Sequence, residues 1–412
     1  MSAVSNDPDS EMRSQWSHPG DILSLLLLIG GDIVQKALAQ VVGIYYQPFK
    51  NGPRIFLTPV AFSFGWVAYS FTSLMSVVGD NQLMPDAPDC PSIVVNCHNA
   101  YTRTNHSWIL GRILRDHEAS HEVDITKESI RIDIFTLTGN DERPDIDPKW
   151  ICSWMVIAVQ HILAAVPWIL YGDWTTLMVT FCGTIGALAT GMLPQWNEEK
   201  WASRKIDSDK IVALTRGNGH HHVMLFINEG KSPSWDIEAL AGGAGRSRPE
   251  TRFVCVLLAV WWTLLLITVS GLIANTWFLL GVGGIGMLQN VYLAGASRTA
   301  GAFNIHVKRY ADCPVIIGYR RSKPLDTPLA ELLSSEGQFE PLDKIGGVMG
   351  ALMALEQRFP KVGSSLVTVF FPGSLTYEPG RFKFQWEKDF WKSAVDGPKE
   401  AKADKSAGKE GQ

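Results

Sequence analysis

The sequence predicts an α-helical multi-pass membrane bundle of about six spans in three hairpins, with a smaller cytosolic α/β unit built from the loops and the C-terminal region. Two stretches of the chain carry this prediction. Residues 253–297 contain no charged side chain, and residues 150–197 contain only Asp173. A helix needs about 20 apolar residues to cross the hydrocarbon core of a bilayer, so each stretch is long enough to cross it twice.

A polar break divides each apolar stretch into two helices. Gly172 and Asp173 separate residues 150–171 from residues 174–196, and residues 275–276 divide the second stretch in the same way. Tryptophan side chains favour the interface between a membrane and water. Five tryptophans lie near the predicted helix ends: Trp150, Trp168, Trp174, Trp196 and Trp277.

The first hairpin covers residues 21–79. Its second half, residues 55–79, carries no charge, but its first half, residues 21–42, combines a purely apolar start with a polar stripe that includes Asp32 and Lys36. These two residues are four apart, in the order that favours an ion pair on a helix. The first helix therefore either crosses the membrane with its stripe facing protein, or lies in the interface as an amphipathic helix.

The charge balance excludes a strongly basic nucleic-acid binder, because Lys and Arg number 37 against 41 for Asp and Glu. Lys and Arg concentrate in the long loops, and the turns at residues 172–173 and 275–276 have none. By the positive-inside rule, this distribution predicts cytosolic loops in a plasma membrane or an endomembrane.

The predicted order is a tail (1–20), a helical pair (21–79), an α/β loop (80–149), a transmembrane hairpin (150–197), a β-hairpin loop (198–252), a transmembrane hairpin (253–296), a C-terminal region (297–396) and a disordered tail (397–412).

The polar regions show the patterns of a mixed α/β fold. In the first loop, a β-rich run at 92–97 is followed by an amphipathic helix that opens at Ser107, and residues 131–137 alternate as a strand does. In the second loop, two β-rich runs flank Gly217-Asn218-Gly219, which predicts a hairpin. We expect these pieces to assemble into one α/β unit.

The first loop also holds Cys90, Cys97 and the sequon Asn105-His-Ser. In an oxidising compartment these residues would favour a disulfide and a glycan. The predicted topology places the loop in the cytosol, where the cysteines stay reduced and the sequon is unused.

Several long blocks of the chain resemble a group of multi-pass membrane proteins of filamentous fungi that has no established activity. The resemblance runs from about residue 18 to residue 395 and implies an architecture rather than a chemistry. Its blocks are GGDIVQKALAQ (30–40), LTPVAFSFGWVAYSFTSLMSVVGDNQLMP (57–85), SWILGRILRD (107–116), LTRGNG (214–219), GGIGMLQN (283–290) and FFPG (370–373).

The sharpest chemical motif is HExxH, formed by His117, Glu118 and His121. On a helix, the two histidines of this motif share one face and can bind Zn²⁺, and the glutamate acts as general base. Glu142, or Asp141 beside it, would supply a third ligand, by resemblance to gluzincin-type proteases. Zinc is expected under this hypothesis alone, and the alternative is that the histidines are ordinary polar residues at a helix end.

Polar side chains in the apolar stretches form a second set of candidates. They are Asp32, Lys36, Gln160, His161, Gln289 and Asn290. Such groups face either each other or a polar cavity for a substrate, an ion or a proton. The interpretations left open are therefore interhelical hydrogen bonding and a transport path.

Small residues mark close packing. Gly183, Ala187 and Gly191 recur at every fourth position, and Gly281, Gly283 and Gly286 match GxGxxG without the preceding strand of a dinucleotide site. We expect these faces to pack helices together, within the chain or in a homo-oligomer.

Two classes of function follow from these observations. The first is a non-enzymatic transport, channel or scaffold role with a cytosolic domain, in which the bilayer is the partner and any small-molecule or ion ligand is unknown. The second is a membrane-embedded enzyme or accessory protein acting on a lipophilic intermediate. A zinc metalloprotease is a minor third.

Overall fold

The computed structural model describes residues 30–47, 54–86, 88–139, 143–243, 248–272, 274–320, 346–372 and 388–394. These residues divide into two compact units. The helical unit draws on Met1–Asp86, Arg143–Ala202 and Ala244–Arg298, and the α/β unit draws on Ala87–Glu142, Ser203–Gly243 and Thr299–Gln412. The predicted tails at 1–20 and 397–412 lie outside the described residues.

Within the described residues, both units have well-defined elements. The helices are α1 (Gly31–Val41), α2 (Trp66–Gly79), α3 (Trp108–Ser120), α4 (Pro148–Tyr171), α5 (Thr175–Gly191), α6 (Pro194–Lys200), α7 (Ile237–Leu240), α8 (Pro249–Ser270), α9 (Thr276–Gly295), α10 (Gly347–Arg358) and α11 (Val362–Phe370). The strands are β1 (Tyr45–Tyr46), β2 (Ile55–Phe56), β3 (Ile93–Asn96), β4 (Tyr101–Thr104), β5 (Glu128–Leu137), β6 (Lys205–Ile206), β7 (Asp209–Thr215), β8 (His222–Glu229), β9 (Ser234–Trp235), β10 (Val307–Arg309) and β11 (Val315–Tyr319).

Three helices, α4, α8 and α9, are long and apolar enough to cross a membrane, and a fourth span is counted if α5 and α6, bent by 44°, act as one. The expectation of about six spans is therefore wrong for the described residues. α2 has 14 residues, which extend over about 21 Å and fall short of a hydrocarbon core about 30 Å thick. Of the predicted helix at 21–42, residues 21–29 lie outside the described residues, and α1 covers 11 residues of the remainder.

The uncharged stretch at 55–79 does not form the single long helix that the sequence predicted. The strand β2 opens it, residues 57–65 are non-helical, and only α2 is helical. Pro59 has no backbone N–H to give to a helix, and Gly65 has low helix propensity. Residues 57–65, hereafter the inner segment, are buried within the helical unit from Thr58 onward.

Local residues explain where the helices of the predicted transmembrane hairpin at 150–197 begin and end. α4 starts at Pro148 because the Asp147 side chain accepts a hydrogen bond from the N–H of Trp150. It ends at Tyr171 because the next residue, Gly172, takes a left-handed φ of 74°. Pro194 opens α6 after the bend, since proline cannot continue the helix before it.

A mixed sheet forms the centre of the α/β unit. Its strand order is β10-β5-β8-β7-β3-β4, with β11 also paired to β5. The β5–β8 pair is parallel and the other pairs are antiparallel. β7 and β8 form the predicted hairpin, in which Gly217 and Gly219 both take a φ of 87°. The strands come from three separate segments of the chain.

The two faces of this sheet have different neighbours. On one face, Val95, Ile132 and Leu225 belong to a hydrophobic core that includes residues of α10 and α11. Side chains alternate along a strand, so Asp133 and His222 point to the opposite face. His117 of α3 contacts that face, and this arrangement positions the polar cluster described below.

Candidate functional site

Gln160, one of the predicted membrane polar residues, binds the backbone of the inner segment. Its Nε2 atom donates to the carbonyl oxygens of Phe62 at 2.7 Å and Val282 at 2.8 Å. Gln160 is fully buried on α4. The amide therefore satisfies a carbonyl that the non-helical inner segment leaves without a helical partner.

Two neighbouring amides on α9 act on the same segment. Gln289 accepts from the N–H of Ala61 at 3.1 Å and donates to Ser153 Oγ at 2.8 Å. Asn290 donates to Ser63 Oγ at 2.8 Å and to the carbonyl of Ala61 at 3.3 Å. The structure thus brings all three amides, of Gln160, Gln289 and Asn290, to the backbone of the inner segment.

The remaining membrane candidates do not join this group. Asp32 and Lys36 are exposed on α1, and no ion pair links them among the described residues. His161 is half-buried, and its Nδ1 atom lies 2.8 Å from the carbonyl of Ile157 on its own helix. Asp32, Lys36 and His161 therefore do not form one polar cluster in the described part of the chain.

The predicted small-residue faces are used within the chain. A Cβ atom on Gly286 would lie 1.8 Å from the carbonyl oxygen of Phe62, and one on Gly183 would lie 2.4 Å from the Phe62 ring. A Cβ on Gly283 would lie 2.2 Å from the ring of Phe64. Close packing was predicted correctly, but its partner is the inner segment as well as neighbouring helices. The homo-oligomer stays a prediction.

The second polar cluster lies in the α/β unit and consists of His117, Asp133 and His222. Each residue offers a ligand atom, and these three atoms lie within 4.8 Å of one another. The exposed fractions of the three residues are 7%, 1% and 8%. The parallel register aligns Asp133 with Met224 and Arg131 with His222, so His222 is adjacent to Asp133 along the sheet.

A hydrogen-bond network holds Asp133. Its Oδ2 atom lies 3.0 Å from Nε2 of His117 and accepts from Nε of Arg131 at 2.9 Å. Burial alone would raise the pKa of this carboxyl, but the bonds from His117 and Arg131 outweigh it and lower the pKa to about 2. Asp133 is therefore a carboxylate, the form that accepts a cation.

His222 is the least satisfied member of the cluster. Burial and the nearby His117 and Arg131 lower the pKa of its imidazole to about 4, so the ring is neutral near pH 7. Its Nδ1 atom is buried and has no hydrogen-bond partner in the described part of the chain. A neutral imidazole with a vacant nitrogen is the form that ligates a metal.

The HExxH motif behaves differently from its sequence pattern. α3 ends at Ser120, so His121 lies beyond the helix. The guanidinium of Arg309 donates to Nε2 of His121 at 3.0 Å, and Nδ1 lies 3.2 Å from the carbonyl of His117. Both ring nitrogens of His121 thus have protein partners.

Of the other members of the predicted zinc site, the structure describes only Glu118. Glu118 forms an ion pair with Arg216 at 3.5 Å. Glu142 and Asp141 lie outside the described residues. The zincin-type site therefore stays a prediction, while the grouped residues are His117, Asp133 and His222.

Sequence reasoning missed Asp133 and His222 as partners of His117. Both signals were present, because residues 131–137 alternate like a strand and three histidines follow the Asn-Gly turn. What the sequence does not state is that β5 pairs with β8, which lies about ninety residues away in the chain.

Comparison of the chain with models of protein families, with curated proteins and with solved structures finds no match.

Proposed function

We propose that this chain is an integral membrane protein whose helical unit is a non-enzymatic scaffold that anchors the α/β unit at the cytosolic face of a membrane. The observation that carries the proposal is the use of the buried amides. The side-chain nitrogens of Gln160, Gln289 and Asn290 donate to the inner segment and to neighbouring groups of the helical unit, and the Gln289 oxygen accepts from Ala61. The amide oxygens of Gln160 and Asn290 are buried without a hydrogen-bond partner among the described residues. The donor groups of these three amides are thereby engaged in holding the fold rather than in binding a solute.

The membrane arrangement we propose has two transmembrane hairpins. β5, β8 and β10 come from three chain segments and belong to one sheet, so all three segments must lie on the same side of the bilayer. An even number of crossings must then separate them. α4 with the α5–α6 pair supplies two crossings, and α8 with α9 supplies two more.

A hydrogen bond between the two hairpin turns supports this arrangement. Nδ2 of Asn275, between α8 and α9, donates to Oδ2 of Asp173, between α4 and α5, at 2.8 Å. The two turns are therefore neighbours, as expected if both hairpins point the same way. Lys and Arg in the loops favour the cytosol for the opposite ends.

Transport is the competing interpretation, and the inner segment is what favours it. Non-helical backbone buried at membrane depth is typical of transporters, where it lines the substrate site. In such a site, water reaches the polar groups from one side. In a scaffold, water does not reach the same groups, so their accessibility to a water-soluble reagent distinguishes the two functions.

A groove on the helical unit favours a lipophilic ligand as a further candidate. Its lining is apolar and consists of Trp168, Trp174, Leu177, Met178 and Phe181. An acyl or isoprenoid tail fits this chemistry. None of these five side chains can act as an acid, a base or a nucleophile at neutral pH, so the groove supports binding rather than catalysis.

Cysteine accessibility separates the scaffold from the transporter. Ser63→Cys and Ser153→Cys are nearly isosteric changes at the buried partners of Asn290 and Gln289. In proteoliposomes of a background without native cysteines, we expect neither thiol to react with a charged, membrane-impermeant reagent. Both should react after denaturation in detergent.

Lys231→Cys is the matched control, because this side chain is 82% exposed in the α/β unit and should react in the native protein. Rapid native labelling of Ser63→Cys or Ser153→Cys would contradict the scaffold and favour a water-filled path.

A further inference from the structure

We infer that His117, Asp133 and His222 bind a divalent first-row transition metal ion, and that the donor set fits Zn²⁺. This inference concerns the α/β unit and does not depend on the role proposed for the helical unit. It also differs from the HExxH hypothesis, because it uses one histidine of that motif and replaces the others.

The first supporting observation is geometric. Three separate elements, α3, β5 and β8, each contribute one ligand atom, and the three atoms lie within 4.8 Å of one another. A tetrahedral zinc with bonds of about 2.0–2.1 Å holds its ligand atoms about 3.3 Å apart. Small rotations of the three side chains would bring the ligand atoms to this separation.

The second supporting observation is the vacant nitrogen of His222. Its Nδ1 atom is buried, and no hydrogen-bond partner for it exists among residues that the structure describes. An unpaired polar atom in a protein interior costs free energy unless water or a ligand satisfies it. A bound metal ion at the cluster would give this imidazole a partner.

The chemistry of the three ligands restricts which metal ion can bind. Two imidazoles and one carboxylate are ligands of zinc and of iron(II), whereas calcium and magnesium prefer oxygen ligands alone. The three residues are almost fully buried, and the rings of Phe135 and His117 pack nearly perpendicular to each other at a centroid distance of 5.8 Å. Such burial suits a structural ion that ties α3 to the sheet.

Arg131 is the natural competitor of the metal. Its guanidinium donates to both carboxylate oxygens of Asp133, at 2.9 Å and 3.4 Å, and so neutralises the charge that a metal would use. The Arg131 side chain is 17% exposed and can turn toward water when a divalent ion takes its place. Removing this guanidinium should therefore strengthen metal binding.

The experiment uses the full chain, purified in detergent and stripped of metal with a chelator. We expect saturation with Zn²⁺ at about one ion per chain, and a Co²⁺ spectrum typical of tetrahedral nitrogen and oxygen ligands. His222→Gln and Asp133→Asn should lower the Zn²⁺ affinity at least about 100-fold, more than loss of an outer-shell partner does. Arg131→Met should raise it about 10-fold, because a positive charge next to the ion is removed.

His121→Ala is the matched control, since it removes the other histidine of the HExxH motif. The His121 ring packs against that of His117 at a centroid distance of 4.4 Å but is not a ligand, so its loss should lower the affinity far less than His222→Gln does. The Arg131→Met result guards against misfolding, because a damaged protein does not gain affinity. The inference fails if the wild-type chain binds no Zn²⁺, if His222→Gln keeps the wild-type affinity, or if His121→Ala loses as much as His222→Gln. It also fails if Arg131→Met lowers the unfolding temperature and does not raise the Zn²⁺ affinity.

Discussion

The side-chain amide of Asn105 is buried and fully engaged. Its nitrogen donates to Ser92 Oγ at 3.1 Å and to the carbonyl of Ser107 at 3.0 Å, and its oxygen accepts from the N–H of Ser107 at 2.9 Å. A glycan would be attached to that same nitrogen. The sequon at Asn105 is therefore incompatible with glycosylation in this fold.

Replacing Asn105 tests this packing. Asn105→Ala should lower the free energy of unfolding by about 1–3 kcal/mol, because it leaves buried polar partners unpaired. Asn99→Ala is the control, since Asn99 is exposed and accepts a hydrogen bond from the N–H of Tyr101, and its cost should be within about 0.5 kcal/mol. Unfolding temperatures in detergent compare the two variants, and equal shifts, or a glycan on Asn105 in protein from a eukaryotic host, would contradict the structure.

At the scale of the element, α9 carries two glycines with opposite surroundings. A Cβ on Gly286 would meet the Phe62 carbonyl at 1.8 Å, whereas a Cβ on Gly284 would meet nothing within 4 Å. Both residues lie in α9, within the stretch that matches GxGxxG. Of these two positions, the helix needs glycine at the one that the inner segment approaches.

This contrast predicts opposite signs for two matched substitutions. Gly286→Ala should destabilise the chain by about 1–3 kcal/mol, because the inner segment must move away. Gly284→Ala should stabilise it by up to about 1 kcal/mol through helix propensity. The unfolding temperatures of the two variants in one detergent give the comparison. Equal effects would mean that the inner segment does not pack against α9.

At the scale of the whole molecule, strand pairing constrains the membrane topology that we propose. The α/β unit draws its strands from three chain segments, which cannot pair across a bilayer. The hairpin turns should then face the opposite compartment.

Single cysteines in a background without native cysteines test this arrangement. Asn99→Cys, Lys231→Cys and Asp312→Cys are exposed positions, one in each segment, and should all react with an impermeant maleimide from one face of a vesicle. Tyr171→Cys and Ala274→Cys, at the turns, should react only from the other face. The four-span arrangement is wrong if any of the first three reacts from the face of the turns.

The sequence by itself determined the apolar helices α4, α8 and α9, the breaks between them and the β7–β8 hairpin, because hydropathy and turn residues act over a few neighbouring positions. It did not determine that residues 57–65 stay non-helical, since their apolar character suits a helix. Side chains of other elements, among them Trp66 of α2, Gln160 of α4 and Gln289 of α9, satisfy parts of the open backbone. Only the tertiary structure brings Asp133 and His222 to His117. A parallel strand pair joins segments that are separated by two apolar helices in the chain, and no local pattern encodes that pairing.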